Sequence, residues 1–435
     1  MQKVFHRRFK FLDWKLDISS SQLLLSYYLA GVGRVSEVLS LPQFNRENLA
    51  KHKTSIDKAC ELVHLLCGVS YYKAGLAANI EFQGAKPSQL MSQFVQKTWF
   101  HGLAELAYVN NVSLKDRICF NGNMQKPKAL LSDATLVSLA PKALVALGGG
   151  KDSLVTVEEL KHQNKEIFLF MVGSSELIKN VAQFIDRPLL QVQRKIDAKL
   201  IAYNKTAKGF NGHIPITAIN SAIAVLCALL YGFDEVVFSN ERSADSANTI
   251  NADNELVNHQ YSKSYEFEHD FSAIIKAEIT PYLKYYSQQR SYSELAILKK
   301  FSQYPQYFPI FSSCNRNFHI DGSHNDQSLW CCDCPKCRFV FLGLAAFIDK
   351  QQLLVIFAKN MLNDASQQTG FAELLGVTGF KPFECVGDIE ESQLAYNLIK
   401  NQTDWGDDLL IKYFSDKIPP TTPQQYQTIM NPTSQ

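Results

Sequence analysis

Six consecutive residues, Gly148, Gly149, Gly150, Lys151, Asp152 and Ser153, combine the side chains and the backbone freedom that anion chemistry requires. An apolar run, Ala143 to Leu147, enters the glycines, and the chain leaves through Lys151 into a helix-like segment, Leu154 to His162. Glycines let the backbone turn sharply and approach an oxyanion with no Cβ in the way, while successive N–H groups and a helix N-terminus supply partial positive charge. The pattern predicts a phosphate cradle between a strand and a helix. It lacks the longer GxxxxGK[ST] spacing of the Walker loop, so its backbone wraps a shorter group.

Three further stretches carry groups that titrate or bind anions. GFNGHIPIT sets two glycines and His213 ahead of a long apolar segment, where the loop can present N–H groups to a phosphate or carboxylate, or His213 is a plain loop residue. SNERSAD concentrates Asn240, Glu241, Arg242 and Asp245. Arg242 is expected as an anion clamp because its planar fork suits phosphate or carboxylate. Glu241 is a candidate for magnesium or for a general base. NHQYSKSYEFE adds His259, Lys263 and Glu266, which supply a base, a cation and a carboxylate near one loop, although a solvated turn explains any one of them.

Cys314 is followed by Cys331, Cys334 and Cys337 at C-x16-C-x2-C-x2-C spacing, with Cys332 as an extra thiol. Four thiolates at that spacing can close a tetrahedral zinc site or hold an iron–sulfur cluster. Alternatively, one of these thiols stays free as an acid or base. Ten cysteines in 435 residues are too sparse for a disulfide scaffold.

The strand, glycine loop and helix start resemble the PP-loop of ATP pyrophosphatases, usually written SGGxDS, with Gly148 in the place of the leading serine. That resemblance implies ATP cleaved between its α- and β-phosphates, with adenine and ribose taken at Val172 to Ser174 through Gly173 and Ser174. Some members of the superfamily carry a similar four-cysteine zinc site. GGGKDS, NGHIPITAINS, SNERSAD, HQYSKSYEFE, SCNRNF, WCCDCPKCRFVF and KPFECVG, in that order from Lys142 to Glu391, are together similar to a narrower family. This is the family of ATP-dependent epimerases of UDP-N-acetylmuramoyl-L-alanyl-L-glutamate, in which the position of Cys332 is usually glycine.

The narrower resemblance implies a reaction. ATP adenylates the glutamyl α-carboxylate, the α-proton is exchanged, and hydrolysis releases the D-glutamyl product with AMP and diphosphate. Activation makes the proton acidic, because an acyl phosphate anhydride removes one of the two negative charges that would otherwise accumulate. Gly148 to Ser153 with magnesium would hold the leaving group, and Arg242 and Lys263 are available to the enolate oxygen. Asp152 is expected in the activation step. His259, Glu241, Glu266, Glu384 and Cys385 are the candidates for proton exchange. A rival reading within the same fold is an enzyme that thiolates RNA or modifies a nucleobase.

These residues must be positioned by a scaffold, and from Lys142 onward strands alternate with helices, the sign of a parallel sheet with crossover helices. Strands are expected at Ala143 to Leu147, Glu166 to Val172, Leu189 to Val192 and Glu235 to Ser239. Helices are expected at Leu154 to His162, Glu176 to Ile185 and Ile216 to Leu230. Ligands of such sheets sit beyond the carboxyl ends of the strands. Residues 1–140 read as an N-terminal α+β domain. It would hold short strands at Phe9 to Asp17, Leu23 to Ala30 and Val35 to Leu41, then helices at Leu49 to Leu66 and Ser88 to Val109.

The fold class is thus α/β: a parallel-sheet PP-loop domain over residues 141–400, including the cysteine block, behind an N-terminal α+β domain. Lys284 to Tyr307 reads as helical packing without function, and residues 417–435 read as a flexible tail. A formal charge of +2 announces no polyanionic partner, so nucleic acid is not expected. No segment supplies the roughly 20 apolar residues of a membrane span, and FHRRFKFLDWKLD lacks the apolar stretch of a secretory signal, so a cytoplasmic address is expected.

Overall fold

Alternate residues of a strand point to opposite faces, and here both faces are apolar. Leu144, Phe170, Val192 and Val236 enter one core, while Ala143, Val145, Leu169, Met171 and Val237 enter the other. A sheet buried on both faces must be covered by helices on both sides, as parallel sheets are. The computed structural model describes the chain except for residues 1–2, 45, 121, 123–138, 207, 252, 319–328, 379–382, 385 and 434–435.

The strands are β1 (Arg8–Asp17), β2 (Gln22–Leu29), β3 (Gly33–Ser40), β4 (Asn79–Phe82), β5 (Ala140–Ala146), β6 (Ile167–Val172), β7 (Leu189–Lys195), β8 (Phe233–Phe238), β9 (Thr249–Ile250), β10 (Leu256–Val257) and β11 (Lys284–Ser287). Nine of them form one sheet in the order β11-β8-β5-β6-β7-β3-β2-β1-β4, and β9 pairs with β10 in a separate ribbon. From β11 to β7 every neighbour is parallel. β7 then pairs antiparallel with β3 through Val38–Lys195, Leu39–Arg194 and Ser40–Gln193, and the β3-β2-β1 meander follows.

The N-terminal strands therefore extend the same sheet. The junction is locked by a buried ion pair in which Arg194 Nε lies 2.6 Å from Glu37 Oε1. The apolar helix Ile216–Tyr231, buried along nearly its whole length, packs between the sheet and helix Lys53–Cys67, so the two regions also share a core.

The four parallel strands and three crossover helices expected from the sequence are all present. The second N-terminal helix starts where Ser88 accepts a hydrogen bond from Met91 N, and it breaks at Leu103 into Gln89–Gly102 and Ala104–Val109. Two expectations differ from the structure. Lys284 to Tyr307 contains helix Glu294–Phe301 but also the edge strand β11, whose four residues are too few to show a period. The stretch expected as a flexible tail contains helix Pro423–Met430. It begins with a Thr422/Gln425 capping box and buries Ile429 and Met430. Among the described residues, no helix is long and apolar enough to cross a membrane.

Candidate active site

β5, β6 and β8 end at one edge of the sheet because they are parallel, and the polar loops expected from the sequence emerge there. A crossover helix runs against its strands, so Ile216–Tyr231 also starts at this edge, bringing His213 with it. The glycine loop closes β5. Gly149 has a φ of +76°, and a Cβ there would lie 2.4 Å from Leu177 Cδ2, so only glycine fits. A Cβ on Gly150 would lie 2.6 Å from Ser313 Oγ, whereas Gly148 faces open space. Gly150 starts helix Lys151–His162 with no side-chain cap, so the first amides of that helix point into the loop without a side-chain acceptor. Ser153 Oγ donates to Gly150 O at 3.0 Å and helps fix the turn.

Lys151 is 2% exposed, and its ammonium lies 2.6 Å from Asp152 Oδ1 and against Glu294 Oε2. Burial opposes its charge, but the Asp152 and Glu294 carboxylates outweigh burial and hold Lys151 above its ordinary value. Burial raises the Glu294 carboxyl; Asp152 and Glu241 push the same way, and Lys151 opposes them. Two carboxylates thus contact the ammonium, and Glu241 acts on the second of them, Glu294. Glu241 is 3% exposed, and its Oε1 has no hydrogen-bond partner. Glu391 ties these parts together: it accepts from Ser243 Oγ in the β8 loop and from Leu295 N, beside Glu294, at 2.7 Å.

Arg290 is buried and bridges three segments. It donates to Glu241 O at 2.9 Å, to Lys263 O at 2.7 Å and to Glu268 Oε2 at 2.8 Å. It thereby sets the β8 loop against the loop that bears His259. A second cluster forms on that side. His259 Nδ1 meets Glu105 Oε2, His213 Nδ1 lies 3.8 Å from the same oxygen, and the two imidazole centroids are 4.2 Å apart. Burial, then His259, with Lys263 and Lys73 adding to them, lowers His213 to about 4 against the pull of Glu105. His259 is anchored through its amide to Asn248 Oδ1 at 2.9 Å.

Other expected residues have different surroundings. Arg242 is not aimed at the glycine loop: its guanidinium donates to Thr428 O at 2.9 Å and Ile429 O at 3.2 Å, where the last carbonyls of helix Pro423–Met430 need donors. Glu266 pairs with Lys97 at 2.6 Å on a half-exposed helix face. Gly173 ends β6 at a φ of +102°, with open space where a Cβ would stand, and Ser174 follows it. Glu384 O accepts from Val386 N at 2.9 Å, and the preceding Phe383 ring contacts Tyr108 on the helix that carries Glu105. Cys385 lies outside the described residues.

The thiols of Cys314, Cys331, Cys334 and Cys337 converge within 4.8 Å of one another. Cys331 Sγ lies 3.7 Å and Cys334 Sγ 3.5 Å from Cys337 Sγ, too far for a disulfide bond of about 2 Å. A tetrahedral zinc with bonds of about 2.3 Å would set its sulfurs roughly 3.8 Å apart, so the spacing fits that ion. Cys332 turns away toward Phe357 O at 3.3 Å with a φ of +52°, a conformation that favours glycine. Ser312 N donates to Gly149 O at 3.1 Å, so the chain entering the thiol cluster braces the glycine loop.

Sequence reasoning missed Glu105, Arg290 and Glu294. Two lie in stretches read as plain packing, and their meaning comes from partners more than a hundred residues away or, for Arg290, from three segments at once.

Together, the fold and this edge define an α/β protein with a buried lysine and acidic groups at a glycine-rich loop that closes a parallel strand. The chain belongs to the MurL family: the MurL N-terminal domain matches residues 1–288 and the MurL C-terminal domain residues 310–429. A relative from Xanthomonas oryzae pv. oryzae, named UDP-N-acetyl-alpha-D-muramoyl-L-alanyl-L-glutamate epimerase, is 40% identical over 95% of this chain and 90% of its own length. Relatives of the same name are 35% identical in Salinispora tropica and 36% in a Micromonospora strain, each over 95% of this chain and 89% and 91% of their own lengths.

Proposed function

We propose that this chain inverts the terminal L-glutamate of UDP-N-acetylmuramoyl-L-alanyl-L-glutamate in peptidoglycan precursor synthesis, with ATP as co-substrate and AMP and diphosphate as products. The relatives' names support the substrate and the inversion. The observation that carries the ATP-dependent part is the glycine loop followed by the buried Lys151, whose ammonium meets Asp152 and Glu294, with Glu241 acting on Glu294. The uncapped helix start and Lys151 suit the diphosphate leaving group of a PP-loop reaction, and the open end of β6 at Gly173 and Ser174 suits adenine and ribose.

The unpartnered Glu241 oxygen, which shares with Asp152 an influence on Glu294, fits a hard divalent cation such as magnesium. Magnesium bound there would neutralise phosphate charge as the α–β bond breaks. The thiol cluster fits structural zinc, with Cys314, Cys331, Cys334 and Cys337 as ligands.

The test is to incubate the protein with ATP, magnesium and the UDP-muramoyl dipeptide. Stoichiometric AMP and a D-glutamyl product are expected, with solvent deuterium at the glutamyl α-carbon. Inversion without AMP would defeat adenylation, and AMP without inversion would defeat the epimerase reading.

A further inference from the structure

Glu105, His259 and His213 form a second group of titratable side chains, and activation by ATP leaves it without a task. Epimerisation still needs a group to remove the glutamyl α-proton. Two of the other candidates are engaged elsewhere: Glu266 pairs with Lys97, and Glu241 acts on Glu294, which contacts Lys151.

His259 has the arrangement of an oriented base. An ionised carboxylate only accepts hydrogen bonds, so contact with Glu105 Oε2 makes Nδ1 the protonated nitrogen and puts the basic lone pair on Nε2. The ring is further fixed through its backbone, with the adjacent Asn258 side chain tied to Ala244 O at 2.9 Å in the β8 loop. Glu105 would also stabilise the imidazolium formed on proton capture. His213 Nδ1 lies 3.8 Å from the same Glu105 oxygen and its ring is 4.2 Å from that of His259 by centroid, so it packs against the oriented ring on the same side of Glu105.

We infer that His259 is the group that removes the α-proton of the activated glutamyl residue on one face, with Glu105 as its positioning residue and His213 as the packed neighbour that confines the ring. The inference rests on the proposed epimerase reading. In the step, the His259 Nε2 lone pair takes the proton, and the C–H electron pair moves into the carbonyl to form an enolate. A proton from the solvent pool is then added to the opposite face, and His259 returns its proton to solvent. Charge and atoms balance with no oxidant or reductant.

The test compares wild type with Glu105→Gln, Glu105→Asp and His259→Ala. One readout is dipeptide-dependent exchange of labelled diphosphate into ATP, and the other is solvent deuterium incorporation at the glutamyl α-carbon, each across pH. Glu105→Gln and His259→Ala should keep diphosphate exchange within about threefold of wild type, while deuterium incorporation falls by about 10²-fold or more. Glu105→Asp should recover part of the incorporation, and its acid limb should move because the carboxylate sets the basicity of the imidazole.

Undiminished incorporation in Glu105→Gln would overturn the inference, as would parallel loss of both readouts in a folded variant. The same three side chains also have a spacing that a metal ion could use. Elemental analysis that finds an ion in wild type and not in Glu105→Gln would overturn it too. A wild type that incorporates deuterium without diphosphate exchange would defeat adenylation alone, whereas one that does neither would defeat both readings.

Discussion

Glu241 holds a buried carboxylate oxygen without a hydrogen-bond donor, and its charge pushes up the Glu294 carboxyl that contacts Lys151. An unsatisfied buried polar group costs about 1–3 kcal/mol, and such a cost persists where function needs the group. Glu241→Gln should therefore raise the thermal unfolding midpoint while lowering AMP formation and shifting its magnesium dependence to higher concentration; a less stable variant of full activity would contradict this. Asp152→Asn should behave differently. Lys151 keeps Glu294, so the fold should survive, but AMP formation should fall by about 10²-fold or more through the loss of one charge at the cradle. Circular dichroism together with the AMP assay separates the two effects.

At the scale of elements, the turn holding the thiols explains itself through one dihedral. With Cys332 in the left-handed region and facing Phe357 O, Cys331 is the member of the adjacent pair that joins the cluster. On the proposed zinc site, Cys332→Gly should leave the zinc content of the purified protein at about one per chain, whereas Cys331→Ser should reduce it, as elemental analysis would record. Helix Lys53–Cys67 makes a separate prediction. His64 is buried on it, with Nε2 3.0 Å from Ser26 O, and burial lowers its pKa to about 4. Between about pH 6.5 and 4 the unfolded chain binds a proton that the folded chain refuses, so stability falls as pH drops through that window, by up to about 3 kcal/mol. His64→Gln should flatten the slope of the thermal midpoint against pH in the same range.

For the molecule as a whole, what the sequence revealed depended on the range over which each signal acts. The glycine loop and the four thiols were legible because their partners lie within a few residues or at a metal-like spacing. The parallel strands were legible because burial on both faces makes them continuously apolar. Arg242 looked like an anion clamp because chain order does not tell that the end of a helix nearly two hundred residues later would supply its acceptors. Glu105 and Glu294 were silent for the same reason, and β11 was too short to show alternation. Arg242→Ala tests that long-range tie: it should loosen the C-terminal helix and lower the thermal midpoint, with amide exchange rising first over Pro423–Met430. Unchanged protection there would reject the tie.

The seam between β3 and β7 has a consequence for biosynthesis. A ribosome completes Gly33–Ser40 about 150 residues before it completes Leu189–Lys195, the strand that covers that edge. During that interval the nascent meander presents an unpaired edge, the usual template for mispairing between chains. Chains truncated ahead of residue 189 should aggregate, whereas chains extended through β8 should remain dispersed, a contrast that sedimentation of stalled nascent chains would read directly. The seam that fuses the two regions into one sheet thus leaves the early product of translation with an uncovered strand edge until the late strand arrives.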